Sequence, residues 1–138
     1  MPEFNKKYDL EERTAIFGED VIEFCIGLEQ TAISKPLISQ LVRSGTSIGA
    51  NYMEANAASS RKDFKNKISI CKKEVQETKH WFRMLLKCFP SLTDKMRQLN
   101  NEAQELTLIF GKILSTLNKA DHPIKNSVLK NSLEIQNS

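Results

Sequence analysis

Three short patterns hold residue types that could do chemistry. The stretch "RSGTSIGANYMEAN", residues 43–56, sets Gly45 and Gly49 among Ser and Thr, as a phosphate-cradling loop would. Residues 77–80, "ETKH", spell Glu-x-x-His, the ligand pair that di-iron carboxylate bundles take from one helix. Lys62, Lys65, Lys72, Lys79, Arg83 and Lys87 recur at helical spacing, so they would line one side of a helix and could meet a phosphate backbone.

A phosphate loop needs a Gly-rich turn after a strand, then Lys and Ser or Thr opening a helix. No strand pattern precedes residue 43, and no Gly-Lys-Ser/Thr follows it. The di-iron reading needs a second Glu-x-x-His and two further carboxylates. The other histidine, His122, has Lys119 three residues before it, so one chain cannot supply the set. His80 then reads as a surface or interface side chain. No Ser, Cys or carboxylate has a histidine placed by sequence to activate it. The expectation is a protein that is not an enzyme, with no catalytic residues, metal or cofactor. Cys25, Cys71 and Cys88 are odd in number and fall in apolar patterns, which reads as reduced core thiols.

The elements that must position these residues follow from period. Leu92, Met96, Leu99, Ala103, Leu106, Phe110, Ile113 and Leu117 alternate steps of four and three. Phe64, Ile68, Cys71, Val75, Thr78, Phe82 and Leu85 do the same, as do Leu10, Thr14, Phe17, Val21, Phe24 and Leu28. Leu37, Leu41, Ile48, Tyr52 and Ala55 form a further stripe. Ser34 before Pro36 reads as the start of a second helix, Ser60 with Asp63 as a capping box for a third, and Pro90 as the stop before a fourth. The prediction is all-α: an up-down-up-down antiparallel four-helix bundle with helices near 8–31, 36–58, 61–88 and 92–118. It assigns residues 1–118 to the bundle and 119–138 to a polar, frayed or disordered tail.

Length and composition agree with one domain. The chain has 138 residues, of which 40% are hydrophobic and 27% charged. A chain of this size buries roughly 70% of its unfolded surface. No apolar run approaches the roughly 20 residues that span a membrane, and no signal peptide is visible. A cytoplasmic location is expected. The formal net charge of +3 is too small to argue for nucleic acid alone. Its distribution is more telling, since residues 1–36 carry eight acidic and four basic side chains while residues 37–90 carry four and ten.

Within the second helix Gly45 and Gly49 cost about 2 kcal/mol relative to alanine, which close approach of another helix would offset. Between Leu37 and Ala58 the charged residues are Arg43 and Glu54 alone, so the helix reads as buried on most sides. Arg43, Ser47, Asn51 and Glu54 form a polar line at steps of four, four and three. Arg43 and Glu54 lie roughly 16 Å apart along the axis and need separate partners. The acidic first helix could serve Arg43, and the Lys-rich third helix Glu54.

On a helical wheel the basic stripe of helix three lies about 110° from the core stripe. It is either a solvated face or a phosphate contact; no aromatic residue in it is suited to base stacking. A second line, Ile70, Glu77, Trp81, Met84 and Cys88, lies roughly 120° away on the other flank. Trp and Met favour interface centres, so Ile70, Trp81 and Met84 are the candidate oligomer contact; the alternative is a wider monomer core.

The stretch "QLVRSGTSIGANYMEA" followed by "SSRKDFKNKISICKKEVQETKHWF" resembles the bacterial four-helix-bundle proteins of ribosomal RNA intervening sequences. Accessory variability determinants of diversity-generating retroelements are related to them. The likeness covers about residues 8–118, and its markers include Gln40, Leu41, Arg43, Ser44, Ser47, Ile48, Asn51, Glu54, Asp63, Phe64, Glu77, Thr78 and Trp81. The resemblance implies a homo-oligomer, five-fold in the retroelement members, which use a basic surface to bind nucleic acid and a reverse transcriptase. Here a pI near 8.8 and an acidic first helix are weak forms of that trait. The resulting expectation is a non-enzymatic homo-oligomeric scaffold, a cyclic pentamer by resemblance, binding RNA or DNA backbone through helix three. The alternative is a protein-interaction module with no nucleic-acid role.

Overall fold

The computed structural model describes residues 9–121. Asp9 Oδ1 accepts a hydrogen bond from the Glu12 amide (3.2 Å) and opens α1, Leu10–Ile26. Glu11 and Glu12 favour the positive end of its dipole. α2 spans Ser34–Asn56, α3 Arg61–Cys88 and α4 Thr93–Asp121, with a 3-10 turn at Pro90–Leu92 between the last two. Ser60 Oγ accepts from the Asp63 amide (3.0 Å), as the capping pattern predicts.

Several boundaries differ from expectation, α2 for instance running 34–56 instead of 36–58. α1 ends at Ile26, because residues 27–33 fold into a hydrogen-bonded turn. In it Ser34 Oγ donates to the Glu29 carbonyl (2.7 Å) and accepts from the Thr31 amide (2.8 Å). The N-cap of α2 is Ile33, which makes no side-chain cap bond; Thr31 Oγ1 accepts from the Ile33 (3.2 Å) and Ser34 (3.0 Å) amides in the turn before it, and Ser34 is buried inside the first turn instead of capping it. At the other end α4 runs on through Lys119 to Asp121, past the expected limit of 118. The rest of the expected tail, with His122, lies outside the described residues.

Consecutive helices pack on one another, most extensively α2 on α3, and α4 returns to close on α1 more loosely. The pairs run antiparallel. Ser44, Ile48 and Glu54 of α2 meet Thr78, Cys71 and Lys67 of α3. Arg13 near the start of α1 reaches Glu102 in mid-α4, while Lys95 near the start of α4 lies 5.8 Å over the Phe24 ring near the end of α1. The alternating rows read from the sequence are the core: Phe17, Val21, Leu41, Ile48, Ile68, Val75, Leu85, Leu106 and Phe110 are all fully buried. Each such side chain contributes about 1.5–3 kcal/mol relative to exposure.

The glycines of α2 face α1. A Cβ on Gly45 would stand 3.0 and 3.1 Å from the Val21 methyls, and one on Gly49 would stand 3.4–3.5 Å from Thr14. Gly18 of α1 returns the approach, its Cβ position 3.5 Å from the Thr46 Cα. These glycines let two backbones meet, and no phosphate loop exists here. α2 is not buried on most sides in the single chain, however. Gln40, Arg43, Ala50, Met53 and Glu54 are exposed along an outer edge poor in charge.

Candidate nucleic-acid interface

The polar line of α2 resolves into a clasp on α3. Arg43 Nη2 pairs with Glu77 (2.6 Å) and Nη1 reaches Glu74 (3.4 Å), while Gln40 accepts from its Nε (3.3 Å). The hydrogen bond to Arg43 holds Glu77's carboxyl below the usual glutamate range against the opposing effect of burial. The partner of Arg43 is thus α3 and not the acidic first helix, because residue 43 lies on the side of α2 turned away from α1. Glu54 meets Lys67 of α3 (2.5 Å), as the charge pattern suggests. Ser44 and Thr78, both fully buried, hydrogen bond to each other at 2.9 Å. Ser47 and Asn51 turn back on their own helix: Ser47 Oγ donates to the Ser44 carbonyl (3.0 Å) and Asn51 Nδ2 to the Ser47 carbonyl (2.8 Å). The motif residues therefore spend their polar groups on joining α2 to α3 and on their own backbone.

The cationic stripe of α3 follows its seam with α4, and its two halves differ. At the N-terminal half, Asp121 takes Arg61 (2.5 Å) and Lys65 (3.7 Å), and Lys72 lies beside Gly111. Lys62 is exposed. At the C-terminal half, Lys79 donates to Gln104, and Arg83 and Lys87 are exposed with no carboxylate against them among the described residues. Here the helices part into an open groove of about 600 Å³. α3 brings Lys79, His80, Arg83 and Leu86 to it, and α4 brings Met96, Arg97 and Asn100. No carboxylate lines it. Arg97 has only a loose contact with Asp94 (3.7 Å), and Asn100 Oδ1 is buried without a hydrogen-bond partner.

Arg97 and Asn100 were not picked out by reading single helices. The signal lay in antiparallel register: Arg97, Asn100 and Gln104 fall on one side of α4 at steps of three and four. Pairing Lys79 with Gln104 brings that side beside the basic stripe.

The opposite seam is acidic. Asp20, Glu23 and Glu102 share a cleft between α1 and α4, and Arg13 pairs there with Glu102 (2.6 Å) and Glu105 (2.9 Å). On the outer flank of α3, Trp81 packs partly against the core, Met84 is half-buried and Ile70 is exposed at the margin. The Trp81 Nε1 is buried and completes no hydrogen bond, although its N–H helps to hold Glu77's carboxyl down. His80 stands edge-on to Trp81, with ring centroids 4.9 Å apart.

For chemistry other than binding the described residues offer little. No group of three or more His, Cys, Asp and Glu is placed to hold a metal. Burial pushes the Cys25 thiol up to about 11 and Cys71 to about 12, so neither is a thiolate at neutral pH. No described helix is long and apolar enough to cross a membrane.

Residues 6–112 match the family described as 23S rRNA-intervening sequence protein. The fold is also similar to the crystal structure of a protein of unknown function from the S23 ribosomal protein family of Bacteroides thetaiotaomicron VPI-5482. The two are 29% identical with a TM-score of 0.68, over 75% of this chain and 96% of that one. No curated protein matches the chain significantly.

Proposed function

The chain belongs to the 23S rRNA-intervening sequence protein family, and on that premise we propose that it is a non-enzymatic, homo-oligomeric scaffold. It engages the backbone of RNA or DNA through the cationic side of α3. The observation that carries this reading is the groove where Lys79, Arg83 and Arg97 converge with no carboxylate in its lining, continued by exposed Lys87. Cations from two helices can follow a phosphate chain without reading its sequence. The family's name refers to ribosomal RNA, so RNA is the first ligand to test.

Assembly rests on different surfaces. Ile22, Ile26, Ile33 and Met53 are exposed on and between α1 and α2, and Ile70 lies with Trp81 and Met84 on α3. Unlike patches on one chain make heterologous contacts, which close into rings when the rotation permits. A cyclic homo-oligomer follows, with five-fold closure favoured by family resemblance. A reverse transcriptase is the protein partner that the same resemblance suggests. Three free cysteines fit a reducing, cytoplasmic setting.

The second reading is an oligomeric protein-interaction module without nucleic acid, favoured by those exposed apolar side chains. Binding of the full chain to structured RNA and to duplex DNA across a salt series separates the two. Backbone binding predicts a steep fall in affinity with salt. Reversing Arg83 and Lys87 to Glu should reduce the log–log slope by about 2. Failure of every nucleic acid to bind at low salt, with an intact oligomer, would leave the second reading standing.

A further inference from the structure

The outward side of α3 carries a row of its own, stepping by four and three from residue 62 to residue 87. Its cations are Lys62, Lys73, Arg83 and Lys87, and between them stand the neutral side chains of Asn66, Ser69, Gln76 and His80. Every member is exposed, and none of the cations pairs with a carboxylate among the described residues. The carboxylates of α3 lie elsewhere: Asp63 is in the first turn, while Glu74 and Glu77 are partly buried against α2, where Arg43 holds them. The clasp thus keeps acid off the row. A solvent-facing helix side ordinarily mixes both signs, as α4 does with exposed Asp94, Arg97, Glu105 and Lys112. Gln76, His80 and Arg83 also form a rim of the groove with α4, so row and groove are one continuous surface.

We infer that this row lies against double-stranded RNA, its cations on phosphates and its neutral residues on ribose 2′-hydroxyls. This rests on the nucleic-acid reading above and deepens it, because backbone tracking alone does not choose between RNA and DNA. Neighbouring members stand about 5 Å apart along the axis, and the whole row spans about 38 Å. A-form RNA presents phosphates and 2′-hydroxyls together across a wide, shallow minor groove, where it is read by shape and not by sequence. Lys and Arg only donate, so they serve phosphates alone. The amides of Asn66 and Gln76 and the hydroxyl of Ser69 both donate and accept, as does the neutral imidazole of His80. A 2′-hydroxyl, itself donor and acceptor, is the backbone group that uses both capacities. An acidic protein surface would match the cations equally. Its carboxylates only accept, however, and would leave the amide and hydroxyl oxygens without donors. The row holds no Phe, Tyr or Trp on which unpaired bases could stack, which favours a duplex over a single strand.

The test compares full-chain binding, from low salt upwards, to an RNA duplex, the same duplex with 2′-fluoro sugars and the DNA duplex of that sequence. Fluorine keeps the A-form and the phosphates and removes the hydroxyl donor. The RNA duplex should bind at least roughly fivefold more tightly than either, through a few added hydrogen bonds. Asn66→Ala with Gln76→Ala should bring the ratio of RNA to 2′-fluoro affinity toward unity. Both positions are exposed, so the helical circular dichroism should not change. Lys73→Gln should weaken binding to all three duplexes and reduce the log–log salt slope by about 1, while the ratio persists. Equal binding of the RNA and 2′-fluoro duplexes overturns the RNA contact and leaves backbone binding intact. A ratio that survives Asn66→Ala with Gln76→Ala, or a slope unmoved by Lys73→Gln, puts the nucleic acid elsewhere and overturns it too. Single-stranded RNA that binds as tightly as the duplex has the same consequence. If no nucleic acid binds, both readings fail. If Lys73→Gln dissociates the oligomer, the row belongs to a protein contact and the inference is overturned.

Discussion

Adding one methyl group at Gly45 tests the contact between α1 and α2 most directly. The new Cβ would stand 3.0, 3.1 and 3.3 Å from Val21 Cγ1, Cγ2 and Cβ. These are closer than carbon atoms settle, and Val21 is fully buried. Its branched side chain has little rotameric freedom within a helix, so relief requires the helices to part by tenths of an ångström. Gly45→Ala should gain up to about 1 kcal/mol from helix propensity. Overpacking should cost about 1–3 kcal/mol. The net expectation is a loss of up to about 2 kcal/mol, seen as a lower midpoint in urea. Val21→Ala alone opens a void and costs about 2 kcal/mol. Together the two changes should be less damaging than their sum by about 1 kcal/mol, because the new methyl enters space the valine vacates. Gly49 is the control: its Cβ position lies 3.4–3.5 Å from Thr14, ordinary contact distance. Gly49→Ala should be neutral or stabilising, whereas Gly49→Leu should lose about 1–3 kcal/mol. A Gly45→Ala protein more stable than the parent, and additive with Val21→Ala, would refute close approach at this crossing.

Glu77's folded carboxyl is lowered, so its pairing with Arg43 stabilises the protein above the unfolded glutamate pKa of about 4.3 and is lost as pH falls through the lower folded value. Urea midpoints taken from neutral pH into acid should therefore fall less steeply for Glu77→Gln, and parallel curves would contradict the pairing. Thr78→Val removes half of a buried hydroxyl pair and should cost about 1–2 kcal/mol. With Ser44→Ala present the second loss should shrink; full additivity would show that the hydroxyls act independently. Trp81→Ala should weaken assembly, a buried aromatic anchor being often worth about 2 kcal/mol or more. Light scattering reads this, and a parent chain that is a monodisperse 15.7 kDa monomer at micromolar concentration would remove the oligomer altogether.

The bundle was legible because burial repeats with the helix. Every member of the row from Leu10 to Leu28 is buried, and even Thr14 is satisfied there by donating to the Leu10 carbonyl (2.6 Å). Ser60 announced its helix because a side-chain cap is a local event, decided within three residues. The start of α2 has no such local signal, because Ile33 makes no side-chain cap, while Ser34 and Pro36 imitate a capped start although Ser34 serves the turn behind it. The partner of Arg43 depends on which neighbour each side of α2 meets. Charge alone pointed to α1, but the glycines had already committed the α1 side to backbone contact. The groove was hidden for a similar reason: it is written half on α3 and half on α4. The stripe from Lys62 to Lys87 could be seen in one helix, whereas Asp121, which occupies its first half, could not.

The way each helix packs on its neighbour in the chain also bears on how quickly the molecule can assemble itself. Most tertiary contacts join adjacent helices, so little loop entropy must be surrendered before they form, and bundles of this kind fold within microseconds to milliseconds. The α2–α3 hairpin has a short connection and the most extensive contact, which suits it to form early. The joining of α1 to α4 is different, since Arg13 and Glu102 stand 89 residues apart along the chain. That ion pair completes a structure already largely made, and interactions absent from the transition state act by slowing unfolding. Arg13 is thus a latch on the lifetime of the native state, with little say in how fast that state is reached.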